Sequence, residues 1–104
     1  MFTFVETPLF TRLVGEYLSD AEYSELQQAL ATNPELGSVI PGTGGVRKVR
    51  WGQRGKGKRG GVRVIYYVRD RKGIIWMLTI YGKSVQENIP GHLLRKIRKE
   101  LDSE

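Results

Sequence analysis

Cysteine is absent from this chain of 104 residues, and histidine occurs once, as His92. The first absence excludes disulfides, thiolate catalysis and zinc-finger ligation. The second excludes any ribonuclease mechanism that needs two histidines. No apolar run is long enough to span a membrane. The opening residues, Met1-Phe2-Thr3-Phe4-Val5, have neither the basic nor the apolar stretch of a secretory leader. A cytoplasmic protein without membrane association is expected. Carboxylates are scarce where cations are dense: Asp70 stands alone between residues 47 and 83. No metal cluster is expected there, and no cofactor is implied.

What the chain does have is positive charge, in one place. Residues 1–46 carry one basic side chain, Arg12, against six acidic ones, a net −5. Residues 47–72 carry eleven basic side chains against Asp70, a net +10, and residues 73–104 return to +1. The overall +6 is therefore a patch and not a uniform coat. Such a patch attracts polyanions and speeds their association.

The length makes a single domain, residues 1–104, with one modest core. Residues 1–5 read as a short edge strand. Thr7 and Pro8 have the chemistry of a helix N-cap and first position. Leu9, Phe10, Leu13, Val14, Tyr17 and Leu18 then recur at helical spacing, so a helix is expected over 8–18. Ser19 with Glu22 forms a capping box for a second helix over 20–32, ended by Asn33-Pro34. After the loop Pro41-Gly42-Thr43-Gly44-Gly45, three strands are expected at 46–51, 61–68 and 74–81, the last two joined as a hairpin through Asp70-Arg71-Lys72-Gly73. Residues 90–101 read as a final helix with Leu93, Leu94, Ile97 and Leu101 on one side, and Arg95, Lys96, Arg98 and Lys99 on a solvated face. The order β-α-α-β-β-β-α implies an α+β domain with a mainly antiparallel sheet packed by helices.

The glycine-rich stretch Gly52–Gly61 admits three readings. Gly52, Gly57 and Lys58 match the start of a phosphate-binding P-loop, but Arg59 replaces the required Ser or Thr and a strand pattern follows instead of a helix. Gly55, Gly57 and Gly60 match G-x-G-x-x-G, which also has to open a helix. The third reading is a loop over 54–60 in which glycines let the backbone approach a polyanion while Lys and Arg neutralise it. A plain solvated hairpin loop is the bland alternative.

Arg63 interrupts the apolar run Val62–Val68. It either snorkels outward from an edge strand or clamps a phosphate in the groove shared with Lys48 and Arg50, which alternate away from Arg47, Val49 and Trp51. Tyr81 can stack on a base or donate a proton and Lys83 can bind phosphate, unless both merely end a strand. His92 reads as a surface residue. Trp51 and Trp76 read as packing first and stacking second, and Tyr66 and Tyr67 point to opposite faces.

In combination, Gly44-Gly45-Val46-Arg47-Lys48-Val49-Arg50, the basic glycine loop, Gly61-Val62-Arg63-Val64-Ile65-Tyr66-Tyr67 and Leu78-Thr79-Ile80-Tyr81-Gly82-Lys83 resemble the RelE/HigB-type toxins of bacterial type II toxin–antitoxin modules, the HigB branch above all. The resemblance covers nearly the whole chain and implies a RelE-like domain. It also implies an endoribonuclease (an mRNA interferase) that cuts mRNA in the 30S A site and stops translation. Implied partners are translated mRNA on the ribosome, a cognate HigA-like helix-turn-helix antitoxin and, through the complex, operator DNA. The family's basic catalytic positions fall on Lys48 and Arg50, its strand arginine on Arg63, and its Gly-Lys after the last strand on Gly82-Lys83. Arg47, Arg54, Lys56, Lys58 and Arg59 are implied contacts to RNA or ribosome. Two positions depart from the family: Ser84 stands where an arginine follows the Gly-Lys pair, and Asn88 or Ile89 stands near the place of its C-terminal catalytic tyrosine, leaving Tyr81 as the substitute.

The chemistry agrees with the residues. RNA carries its own nucleophile, the 2′-hydroxyl. Cleavage needs that group deprotonated, the charge on the phosphorane stabilised and the 5′-oxygen protonated. Clustered cations do the second task, and a lysine crowded by like charges gives up its proton more readily. Two rivals use the same patch: a non-catalytic RNA-binding or ribosome-associated module, and a regulatory partner of an acidic protein.

Overall fold

Thr7 and Ser19 start the first two helices by local chemistry. The computed structural model describes residues 1–53, 57–82 and 89–103, with backbone alone for residues 53 and 57–60. Strand β1 (Thr3–Glu6) leads into helix α1 (Pro8–Tyr17), where the Thr7 hydroxyl accepts from the Phe10 N–H at 3.1 Å and Pro8 takes the first turn. Helix α2 (Asp20–Thr32) opens on a full capping box. Ser19 Oγ accepts from Glu22 N–H at 3.1 Å, and Glu22 Oε1 accepts from Ser19 N–H at 2.8 Å. Both carboxylates of its first turn, Asp20 and Glu22, also favour the positive end of the helix dipole. Glu6 ties the three elements: one carboxylate oxygen accepts from Thr11 and the other from the Tyr23 hydroxyl, each at 2.7 Å. Burial and the neighbouring Glu6 hold the Tyr23 phenol well above its ordinary pKa.

The sheet has five strands in the order β1-β5-β4-β3-β2, with β2 at Ser38–Val39, β3 at Arg47–Gln53, β4 at Gly57–Arg69 and β5 at Ile74–Gly82. Only β1 on β5 is parallel; the other pairings are antiparallel. The described residues thus make an α+β fold, with a mostly antiparallel sheet and three α-helices. The element order carries one strand more than expected, β2, and β1 is the expected edge strand. A short 3-10 turn, Asp70–Lys72, and Gly73 at φ 64° make the hairpin between β4 and β5.

Two further differences concern the basic segment. The backbone of residues 57–60, expected within a loop over 54–60, belongs to β4, and residues 54–56 lie outside the described residues. β4 is also a central strand, which removes the edge position allowed for Arg63.

Strand alternation divides the sheet into two faces. On one, α1 and α2 cover Val49, Val62, Val64, Tyr66, Ile75, Met77 and Ile80 with fully buried Phe10, Leu26 and Leu30. Each such side chain contributes about 1.5–3 kcal/mol of transfer free energy. On the other, helix α3 (Gly91–Asp102) packs Leu94, Ile97 and Leu101 over Val46, Ile65, Leu78 and Tyr81. Between Ile65 and Tyr66 the β4–β5 register shifts by one, so that Leu78 and Thr79 together oppose Ile65. The Leu78 carbonyl at this bulge accepts from the Thr7 hydroxyl at 2.7 Å.

Helix α3 corrects two expectations. Its buried stripe is Leu94, Ile97, Arg98 and Leu101, at i, i+3, i+4 and i+7. Leu93 lies outside the stripe and is 41% exposed, while Arg98 lies within it. Arg98 Nη1 donates to Asp102 Oδ2 at 2.9 Å, and its guanidinium lies over Gly44, where a Cβ would come within 2.5 Å of Nη2. Gly44 has φ 80°, so glycine is required there on both counts. Asp102 also accepts from the Tyr67 hydroxyl at 2.8 Å, and Arg69 Nη1 donates to the Leu101 carbonyl at 2.6 Å.

The Arg98 hydrogen bond, then that of Tyr67 and the nearby cations, hold Asp102 below its ordinary 3.8. A depressed carboxylate pKa stabilises the fold above the unfolded value and loses that contribution as pH falls through the folded one. Urea unfolding is therefore expected to show a wild-type advantage over Asp102→Asn at pH 7 that shrinks below about pH 4. A gap independent of pH would contradict the assignment.

Candidate nucleic-acid interface

β3, β4 and β5 lie in register so that Arg50 faces Arg63 and Arg63 faces Tyr81. Residues directly opposite share a face, and these three form one row across the sheet. The next row on that face is Lys48, Ile65 and Thr79. Four predicted site residues, Lys48, Arg50, Arg63 and Tyr81, are thus brought to one face by register and alternation. It is the face that α3 covers in part, through Leu94 and Leu101 beside Tyr81.

The row is graded in exposure. Arg50 is exposed, Arg63 half-buried, and Tyr81 only 5% exposed. Arg63 Nη1 donates to the Gly61 carbonyl at 3.2 Å, two residues back on its own strand and on the same face. Two cations directly opposite across a ladder repel. No acidic side chain among the described residues pairs with either Arg50 or Arg63; the ion pairs there are Arg47–Glu35, Arg69–Asp102 and Arg98–Asp102. The arrangement can hold an anion with two guanidiniums and present a buried phenol beside it.

The other predicted residues are placed differently. Arg47 is on the α1–α2 face, where its Nη1 donates to the Gly37 carbonyl at 2.7 Å and its Nη2 lies 3.7 Å from Glu35. It straps the loop before β2 to β3 and does not join the row. Tyr66 supports the same strap: its hydroxyl donates to the Pro34 carbonyl at 2.7 Å and accepts from Gly37 N–H at 2.9 Å. Burial raises its pKa, with the Gly37 bond opposing. Lys58 and Arg59 lie on β4, described by backbone alone; Arg54, Lys56, Lys83, Ser84 and Asn88 lie outside the described residues. β4 takes up the glycine run from Gly57 onward, and neither glycine-rich nucleotide motif is followed by the helix it needs. Trp51 and Trp76 pack against the two opposite cores, Tyr66 is buried and Tyr67 half-buried on opposite faces, and His92 is exposed.

Beside the row, at the outer edge of β3, lies an open depression of about 400 Å³ formed by residues 36–38 and 48–51. Leu36, Gly37 and Ser38 carry no motif, and the sequence signal for them is slight: one leucine left in an otherwise polar connection. A smaller depression of about 220 Å³ at the far end of β4 mixes Arg69 and Arg71 with Asp70 and Asp102, and so has no field of one sign. Among the described residues no group of three or more metal-ligating side chains comes together, and no helix is long and apolar enough to cross a membrane. A comparison of the chain with models of known protein families finds no match.

Proposed function

We propose that this protein is the toxin of a toxin–antitoxin pair, a RelE-like endoribonuclease that cuts translated mRNA on the ribosome without a metal. The observation that carries the reading is the Arg50–Arg63–Tyr81 row, two opposed cations beside a phenol with Lys48 one row away. In this mechanism Arg63 and Arg50 bind the non-bridging oxygens of the scissile phosphate and stabilise the phosphorane. Lys48 shuttles a proton or adds charge, Tyr81 lines the site beside Arg63, and Lys83, outside the described residues, adds a phosphate contact. The cations of the segment between Trp51 and Gly61, Arg54, Lys56, Lys58 and Arg59, guide RNA or ribosome. Asp70, the single carboxylate between residues 47 and 83, lies at the far end of β4 from the row, which supports a route that draws on cations and no metal. The row holds neither a carboxylate nor a histidine to take the proton of the 2′-hydroxyl, so cleavage of free RNA is slow and alignment by the ribosome supplies much of the rate.

The partners that follow are mRNA in the A site and a cognate helix-turn-helix antitoxin, with operator DNA bound through their complex. Induced expression in growing bacteria is expected to arrest translation, and primer extension on a translated message is expected to show new 5′ ends inside codons. Arrest without new ends would replace this reading with that of a non-catalytic RNA binder, and harmless expression would remove both.

A further inference from the structure

β2 is two residues long and β3 seven, and they pair only through Ser38–Lys48 and Val39–Arg47. Past Lys48, therefore, the outer edge of β3 has no neighbour among the described residues. On an edge strand every second residue turns its N–H and C=O outward. The 400 Å³ depression lies at this edge. Its apolar lining is Leu36, 43% exposed, with Val49 and the half-buried Trp51. Its rim is Lys48 and Arg50, of which Arg50 ends the phosphate row and Lys48 stands one row away.

We propose that this depression is a nucleobase slot, which takes one unpaired base of the RNA strand whose phosphate lies on the Arg50–Arg63 row; the proposal rests on the RNA reading above. Three features converge on a base. An aromatic ring and a leucine offer a stacking surface, which any base can use. The outward backbone groups of β3 offer donors and acceptors to the base edge, so the slot can also discriminate among bases. Arg50 belongs to both slot and row, while Trp51 alternates to the opposite face of β3, so an RNA strand with a phosphate on the row turns around the open β3 edge to bring a base against Trp51. The volume is at the lower end of those that hold small ligands. Trp51 and Leu36 are then specificity-determining residues, distinct from the cations that provide affinity. A peptide strand added to the β3 edge would use the same backbone groups, but it would need acidic side chains to meet Lys48 and Arg50 and would leave the shared position of Arg50 without a purpose.

The test uses the full chain with Trp76→Phe, which leaves Trp51 as the sole tryptophan. It is titrated at low salt with a short single-stranded RNA, 2′-O-methylated so that it is not cut, and with the same strand made abasic. The full strand is expected to quench Trp51 emission and to bind about tenfold more tightly than the abasic strand, with equal slopes of log K against log salt. Leu36→Ala in the otherwise unchanged chain, followed by anisotropy of labelled RNA, is expected to shrink the gap between the two strands and leave the slope alone. Equal affinity for both strands with no change in emission overturns the slot while the RNA reading stands. Binding of neither strand overturns both. Quenching by an acidic peptide and not by RNA assigns the edge to a protein partner and overturns the slot.

Discussion

Arg63→Gln is expected to lower cleavage by about 10²–10³-fold and, in the same molecule, to raise stability. The two effects have one origin. Arg63 and Arg50 are register partners on a face where no described carboxylate pairs with them. In the free protein this opposition is destabilising, on the scale of about 0.2–1 kcal/mol that cross-strand pairs contribute. A bound phosphate reverses the sign, because both guanidiniums then face an anion. Glutamine keeps a polar side chain with an amide donor but removes the charge, and the bond it gives up, Arg63 Nη1 to the Gly61 carbonyl, is long at 3.2 Å. Thermal unfolding without ligand should move up by a few degrees, while primer extension on translated mRNA fades. A variant that loses both cleavage and stability would make Arg63 an ordinary strand residue. Retention of cleavage would remove it from the site.

Gly37→Ala is expected to destabilise the protein by about 3 kcal/mol, a sum of overpacking and a lost buried hydrogen bond. Its midpoint of thermal unfolding would fall by roughly 10–20 °C. A Cβ at Gly37 would come to 2.7 Å from the Lys48 carbonyl oxygen, 2.9 Å from its carbon and 3.0 Å from Tyr66 Cε1. The first two are backbone atoms, so no rotamer relieves the contact, and β2 has to move away from β3. That movement strains two bonds at once, Arg47 Nη1 to the Gly37 carbonyl and Gly37 N–H to the Tyr66 hydroxyl. Cleavage should fall with it, because Lys48 is the β3 residue displaced. Gly15→Ala is the control. Nothing lies within 4 Å of its Cβ, on an exposed position of α1, and alanine there should stabilise by up to about 1 kcal/mol. Equal midpoints for the two alanine variants would contradict the close packing of the strap.

What was legible in the sequence is what local chemistry decides. Thr7-Pro8 and Ser19…Glu22 place both N-terminal helices through hydrogen bonds that span three residues. Alternation puts Lys48 and Arg50 together and sends Arg47 away, and the turn at Gly73 follows from its own backbone conformation. What was not legible depends on partners distant in sequence. β2 is two exposed residues with no pattern of their own, paired because β3 passes beside them. Residues 57–60 read as loop from their glycines, yet their backbone continues the ladder opposite β3. Arg98 belongs to the buried stripe of α3 only because Asp102 and Gly44 receive it. Arg47, one of the expected RNA contacts, is taken up by Gly37 and Glu35 from a connection that gave no hint of reaching it.

The bulge at Leu78–Thr79 decides more than a local twist. β5 buries Ile75 and Met77 beneath α1 and α2, and then Ile80, three positions on instead of two. One extra residue thus inverts the phase of the strand's last third. In an uninterrupted strand Tyr81 would point into the helix-covered core and Ile80 would lie beside Arg63. At this strand length the bulge is therefore what keeps the tyrosine in the row, and the hydroxyl of Thr7, just past the neighbouring strand β1, holds the bulge carbonyl. Smoothing the bulge at full length would exchange a phenol for a methyl-lined wall while leaving every cation where it is, whereas deleting one of its two residues would restore plain alternation and keep Tyr81 opposite Arg63.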